Sequence, residues 1–519
     1  MKITRYSWSL LASVGLAVST QAFSLIGIAD PSQVFAIGYF ANGVGIRSYD
    51  QQGDLGGPRN LGSEFRRSSP IITYGYDATF LDYFGTNGVI AVEKAIKVLN
   101  DLPAASTMTP GLTEFPLRTA GANFAAQRLH LFDLKSFTLS ILLEQMGLAA
   151  PERWVWCLKD REAPPPERYL IINRNFDPVT QTYSPFINGT RYSFVIGTYT
   201  TSAGPFWDAR KVALDAAEPN ISVASLHGVQ GGELGVDDRV ARQMGYTLGN
   251  IEGQVAIGSW GLYFSGLTRD DAGGIRHLIQ SKNRNYESAP LGSTGRSGLT
   301  VSSVTPGTSG GGTGGGNSPF RLVDDLGVVA VVPTATPGGT PAVTTAPAIQ
   351  IEGVRSGVDK IAFIRVDLDP LTRRINLPIA VQYQENIVST NGTPGSQQVE
   401  RILVQPDILF SAADVGQLLA VPFVYRRTLN LTQPARTAAD VINNPNNILG
   451  YPGNISGPVD ITFSTIGPHY LANQVGDSQA DSPYGFLWGS FDGTTNRPIV
   501  YPVGQVDLKQ LERAALKEK

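Results

Sequence analysis

Two low-complexity stretches interrupt the 519-residue chain and constrain how it can fold. Residues 306–319 are almost entirely Gly, Ser and Thr, and residues 333–347 are rich in Pro, Thr and Ala. The first composition gives a flexible coil and the second a stiffer, extended run. Between them, Leu326-Gly327-Val328-Val329-Ala330-Val331-Val332 has the content of one strand. The expected organisation is an α+β domain over residues 23–300, a linker over 301–347, a β-sandwich over 348–505 and a helix over 506–519. The alternative is one domain carrying a long loop, although loops beyond about 12–15 residues are uncommon in compact domains. At about 150 residues per domain, the length allows two to four.

Charge excludes several classes of function. The net charge is −3, with no basic excess to form a nucleic-acid-binding stripe. Only 16% of residues are charged, against roughly 25% in an average soluble domain. The 42% hydrophobic share is too high for a disordered chain, and the single Cys rules out a disulfide framework. Many Gly, Tyr and Phe with few charges suit a β-rich exported protein.

The N-terminus carries an address. Lys2 and Arg5 form a basic start, residues 10–18 are apolar, and Thr20-Gln21-Ala22 is a small-x-small cleavage site before Phe23. This is the pattern of a secretory signal over residues 1–22, with an apolar run too short for a membrane span. The mature chain is therefore expected outside the cytoplasm, as a secreted, periplasmic or cell-surface protein. No nucleic-acid partner and no membrane span are expected; self-association or an extracellular ligand is. Cys157, in Trp154-Val155-Trp156-Cys157-Leu158, reads as a buried, inert thiol.

Periodicity predicts three helices in the first half. The first covers residues 88–102, with Thr86 or Asn87 as cap, after the strand-like Ile71-Ile72-Thr73-Tyr74-Gly75-Tyr76. The second covers residues 134–146, capped by Asp133 and closed by Gly147. Ser136, Ser140 and Glu144 form a polar stripe along it. The third covers residues 269–281, with Thr268 as cap and Asp271 in the capping-box position. In the second half, residues 361–368, 379–383, 401–404 and 459–463 read as strands. Turn residues such as Asn391-Gly392-Thr393-Pro394-Gly395 separate them.

In this order the helical segments resemble the matrixin branch of the metzincin proteases. Ile72-Thr73-Tyr74 with Ala91-Val92-Glu93-Lys94-Ala95-Ile96 is similar to that family's opening strand and first helix. Met146-Gly147-Leu148 is similar to the end of its active-site helix. Leu267-Thr268-Arg269-Asp270-Asp271-Ala272-Gly273-Gly274-Ile275-Arg276 is similar to its closing helix. The resemblance covers residues 65–282 and implies a zincin-like scaffold. It also exposes a departure. The family's H-E-x-x-H-x-x-G-x-x-H motif, anchored on Gly147, puts Ser140, Glu144 and Ala150 at the zinc-ligand positions and Ile141 at the base position. No His fills a ligand position. Met244-Gly245-Tyr246 lies where a Met-turn would be, without matching one, and the stretch between Pro103 and Leu134 is short for that family's sheet.

Other chemistry finds little support. A zinc set of His130, His227 and Glu144 lacks ligand spacing on any one element. His130 reads as part of an alternating strand, and Ser225-Leu226-His227-Gly228 as a strand end. His277 reads as a solvated helix residue and His469 as a loop residue. Asp359, Asp367 and Asp369 lack a calcium-ligand loop, and Asp367-Leu368-Asp369-Pro370 reads as a strand ending in a turn. Gly307-Thr308-Ser309-Gly310-Gly311 lacks the strand and helix of a nucleophile elbow. Residues 310–316 form no phosphate cradle, and Asp237-Asp238 reads as the start of a short helix. The expectation is a non-catalytic binding or structural protein, with no catalytic residues, metal or cofactor. A metallohydrolase with unusual ligands and a surface-layer or appendage subunit are the alternatives.

Overall fold

The computed structural model describes residues 21–27, 36–40, 43–47, 57–129, 131–162, 167–201, 204–216, 219–226, 260–295, 349–388, 393–415, 417–418, 421–422, 425–434, 452–465 and 487–504. The fold is mixed α/β, mostly strands with few helices.

Its centre is the strand Ile71–Tyr76, in which all six residues are buried. A continuous run such as Ile-Ile-Thr-Tyr-Gly-Tyr suits a strand covered on both faces. Such a strand must also have both edges paired, because unpaired buried backbone groups are costly. Ala362–Arg365 and Ile408–Ala413 supply those edges, both parallel to it. Ile408–Ala413 runs parallel to Val459–Ser464 in turn, and Tyr425–Arg427 closes the far edge antiparallel. A second five-stranded sheet is antiparallel. Its order is Arg284–Ser288, Glu352–Ser356, Ile379–Val388, Pro394–Leu403, Ser293–Gly295.

Both sheets therefore combine strands from the two sides of the low-complexity region. The expected boundary at 301–347 does not separate them. Strands from the region expected to form a β-sandwich pair with N-terminal strands in both sheets. The reason lies in Ile71–Tyr76, whose two edges are paired only by strands from far along the chain. Polar ties cross the same divide. The Thr73 N–H donates to Asp407 Oδ2 at 2.9 Å, and Arg66 Nη2 donates to the Arg355 carbonyl at 3.0 Å. Asn100 and Phe363 exchange two hydrogen bonds, of 2.8 and 3.0 Å.

Side-chain alternation sorts the strand's residues into two cores. Ile72, Tyr74 and Tyr76 join Phe410 and Phe463 beneath the helices, packing with Phe80, Phe84, Val92, Ile96 and Phe137. Ile71 faces the other way, into a cluster with Val366, Ile375, Val381, Tyr383 and Val399.

The three predicted helices are present. The first is longer than its pattern suggests and spans Ala78–Asn100, with Asp77 Oδ1 accepting from the Phe80 N–H at 3.0 Å. Gly85, at φ +57°, breaks its helical path, and the segment beyond that break is the one the periodicity marked. Leu134–Met146 keeps both predicted ends: Asp133 Oδ2 accepts from the Ser136 N–H at 3.0 Å, and Gly147 closes it at φ +115°. Arg269–Ile279 begins with the predicted capping box between Thr268 and Asp271 and ends two residues before the expected Ser281.

The remaining strands agree in place more than in length. The expected 401–404 strand is the tail of Pro394–Leu403, and the expected 361–368 strand stops at Arg365. Ser225 ends a single 3-10 turn, Val223–Ser225, in place of the expected strand end. Among the described residues, no helix is long and apolar enough to cross a membrane. Residues 1–20 of the expected leader, the linker with the Ser309 motif and Leu326–Val332, residues 237–244 with Met244, the turn residues Asn391 and Gly392, the helix expected over 506–519, and His130, His227 and His469 lie outside the described residues.

Candidate functional site

The polar stripe of the Leu134–Met146 helix is buried, and each member has a partner. Ser136 Oγ donates to Asp133 Oδ2 at 2.5 Å and accepts from the Phe264 N–H at 2.8 Å. Ser140 Oγ donates to the Val223 carbonyl at 2.6 Å. Glu144 receives Arg427 with two guanidinium nitrogens, Nη2 to Oε1 at 2.8 Å and Nε to Oε2. Ile141 is fully buried in the apolar core, and Ala150 is the residue before the short helix Pro151–Trp154. The structure thus brings Ser140, Glu144 and Ala150 to one region, each already engaged in packing or bonding.

The Val223 carbonyl leads to a second, denser feature. Two carboxyl side chains, Glu152 and Asp271, converge on residues 222–225 around the 3-10 turn Val223–Ser225, and Asp270 neighbours Asp271 on its helix; all three are essentially inaccessible. Local sequence explains their placement. Glu152 lies in the first turn of the short helix that Pro151 opens. Asp270 and Asp271 occupy the first turn of Arg269–Ile279, where backbone N–H groups are free to donate.

Asp271 takes the largest share of donors. It accepts from Thr268 Oγ1 at 2.5 Å, from the Val223 N–H at 3.1 Å, from the Ala224 N–H at 3.0 Å and from Ser222 Oγ. Glu152 accepts from the Ser222 N–H at 2.8 Å and from Ser225 Oγ. Asp270 Oδ2 accepts from the Asn188 N–H at 2.6 Å, while the Ala22 N–H also faces this carboxyl. Asp270 Oδ1 has no hydrogen-bond partner.

Like charge adds to burial: Asp271 disfavours the charge on Glu152, and Asp271 and Glu152 disfavour that on Asp270. Burial pushes the Glu152 carboxyl up to about 8, against the hydrogen bonds that favour its ionised form. It pushes Asp270 well above the usual carboxylate range, with Asp271 and Glu152 adding repulsion. Burial therefore favours the protonated forms of both Glu152 and Asp270. A shallow recess adjoins the cluster, lined by Phe23, Ser24, Leu148, Pro151 and Ala224 as well as the two aspartates, and it has no room for a water molecule.

His277 corrects the sequence reading. It was expected to be solvated, yet it is buried, stacked on Phe23 with ring centroids 5.1 Å apart. Its Nε2 lies 3.2 Å from Glu64 Oε1, and Asn283 and Asn285 donate to the same oxygen. Burial opposes the Glu64 charge, but the hydrogen bond and charge of His277, with backbone N–H and Asn283 donors, hold it down at about 2. The helix face that carries His277 is covered because the chain entering at Phe23 crosses it.

Asp359 and Asp369 are separate turn residues. Asp359 accepts from the Ser106 N–H and hydroxyl, and Asp369 accepts from the Leu371 and Thr372 N–H groups. Cys157 is buried, and its Sγ donates to the Arg153 carbonyl at 3.6 Å. Among the described residues, no group of three or more His, Cys, Asp or Glu side chains is arranged to hold a metal ion.

Sequence reasoning assigned Asp270 and Asp271 only a helix-end role and passed over Glu152. Gly273-Gly274 was the available signal. A Cβ on Gly274 would lie 2.6 Å from Leu148 Cδ2 and 3.0 Å from Phe23 Cβ, so this helix end is packed tightly against the chain start. The chain matches no protein-family model, and neither a curated protein nor a solved structure is significantly similar to it.

Proposed function

We propose that this is an exported, non-catalytic binding or structural protein on a metzincin-like scaffold whose metal position has been given over to an ion pair. The observation that carries the reading is Arg427 on Glu144. The carboxylate at a ligand position is committed to a guanidinium at two points. A catalytic zinc needs three protein ligands and an open position, with a base nearby. Ser140 spends its hydroxyl on the Val223 carbonyl, and Ile141 stands where the base would be.

Support for export comes from the way the chain begins to fold. Phe23, Ser24, Leu25 and Ile26 are buried, and Ser24–Gly27 pairs with both Gly57–Pro58 and Leu148–Ala149. The expected cleavage point therefore falls where the chain enters the core.

Metal analysis and a peptidase assay on purified protein test the non-catalytic reading. The expected result is no stoichiometric zinc and no hydrolysis of a general protein substrate. About one equivalent of zinc, the occupancy of a single site, with peptide cleavage would replace this reading with a metallohydrolase. Sizing at several concentrations tests self-association, the route to a structural role.

A further inference from the structure

We propose that the protein holds a chloride ion between two buried guanidinium groups, Arg67 and Arg401, at the place where the two five-stranded sheets meet. Arg67 lies on the chain entering the central strand Ile71–Tyr76, and Arg401 belongs to Pro394–Leu403 of the second sheet. Arg401 reaches across to the first sheet. Its Nη1 lies 3.5 Å from Ser69 Oγ, and its Nη2 donates to Asp407 Oδ1 at 2.6 Å, just before Ile408–Ala413. Arg67, Ser68, Ser69, Arg401 and Asp407 are all buried.

Donors outnumber acceptors at this junction. Asp407 is already committed: besides Arg401, its Oδ2 accepts from the Thr73 N–H at 2.9 Å and from the Thr73 hydroxyl at 3.0 Å. The Arg67 hydrogen bond goes to a carbonyl instead, from Nε to the Gln145 oxygen at 2.9 Å. Arg67 Nη2, Ser68 Oγ and Arg401 Nε are enclosed without a hydrogen-bond partner among the described residues. Charge points the same way. Two guanidinium groups against one carboxylate leave this trio with one positive charge, since arginine stays protonated at neutral pH. Burial pushes the Arg67 guanidinium down to about 10, with Asp407 opposing that and Arg401 adding to it. A buried charge and buried donors both need a partner. A small monovalent anion meets both needs, because it balances one charge, accepts from several donors and brings none of its own. Water cannot balance the charge, and a dianion would reverse its sign. Held there, chloride would tie the approach to Ile71–Tyr76 to the second sheet.

The test melts the full chain in sodium chloride and in sodium gluconate, both at an ionic strength of about 0.15 M so that screening is equal. The chain should melt at least about 2 °C higher in chloride, as expected of a ligand that binds only the folded state. Arg67→Gln should erase that difference. Equal melting of the unmutated chain in the two salts would overturn the inference, as would a chloride advantage that survives Arg67→Gln. If Arg67→Gln does not fold, crystals of the unmutated chain grown in bromide decide, because bromide replaces chloride and scatters anomalously. A bromide peak in contact with both guanidinium groups is expected, and its absence there would overturn the inference. The zinc and peptidase assays that test the non-catalytic reading have separate outcomes, so either idea can fail alone.

Discussion

Arg427 grips Glu144 from the far end of the chain, Nη2 to Oε1 at 2.8 Å, with both side chains buried. The pair joins the edge strand Tyr425–Arg427 to the helix Leu134–Met146, so it fixes the parallel sheet against its helical layer. Two opposed charges held this way bring little net stability, because each has lost its water. Removing one takes its opposite charge from the other, which stays buried. Arg427→Ala should therefore destabilise by about 3–5 kcal/mol, and the double change Glu144→Leu with Arg427→Met by far less. Urea denaturation checks both. Equal loss in the single and double variants would mean that the pair contributes by packing.

Asp133 predicts a pH dependence. Burial pushes this helix cap up to about 6 from the ordinary 3.8, against the Ser136 hydrogen bonds and the Lys135 charge. The unfolded chain gives up this proton first as pH rises, so between about pH 4 and 6 the folded state binds more protons. Its contribution is complete below about pH 4 and is lost as pH climbs through about 6. The upper bound is about 3 kcal/mol, at about 1.4 kcal/mol per unit. Asp133→Asn retains a capping oxygen and should flatten that part of the stability profile. A slope unchanged by the substitution would assign the effect to another group.

Gly274 predicts a packing limit. Gly274→Val would force branched carbon into Leu148 and the Phe23 Cβ, at a cost of about 1–3 kcal/mol. Gly274→Ala should sit at the low end, because the Leu148 methyl can yield more easily than Phe23 Cβ. Thermal melts of the two variants check the order.

Local chemistry was legible in the sequence, and pairing at a distance was not. Asp133 with Gly147, and Thr268 with Asp271, announced helix ends because capping is written within four residues. Ile71–Tyr76 announced a strand by its apolar run, but nothing in that run names Phe363 or Phe410 as its neighbours. The Gly-rich region looked like a boundary because composition reports chain stiffness and says nothing of which strands meet beyond it. His277 looked exposed because its cover, Phe23, comes from more than two hundred residues away. For these carboxyls, sequence supplied one helix start, at Asp270 and Asp271, and only tertiary structure brings Glu152 and Asp271 to one turn.

The shared sheets give the last prediction. If Ile71–Tyr76 is paired on both edges by strands from beyond residue 348, cutting the tether should not release two proteins. A site-specific protease sequence placed within residues 307–316 would allow one clean cut. The two fragments should elute together on sizing, held by the parallel pairings, by the Thr73–Asp407 and Asn100–Phe363 bonds, and by Glu144 with Arg427. They should separate only in denaturant. Cutting also turns an intramolecular fold into an association, so the melting temperature should fall on dilution, whereas the uncut chain should not respond. Fragments that elute apart, each with its own cooperative melt, would show that the two halves fold alone and that the sheets do not cross the tether.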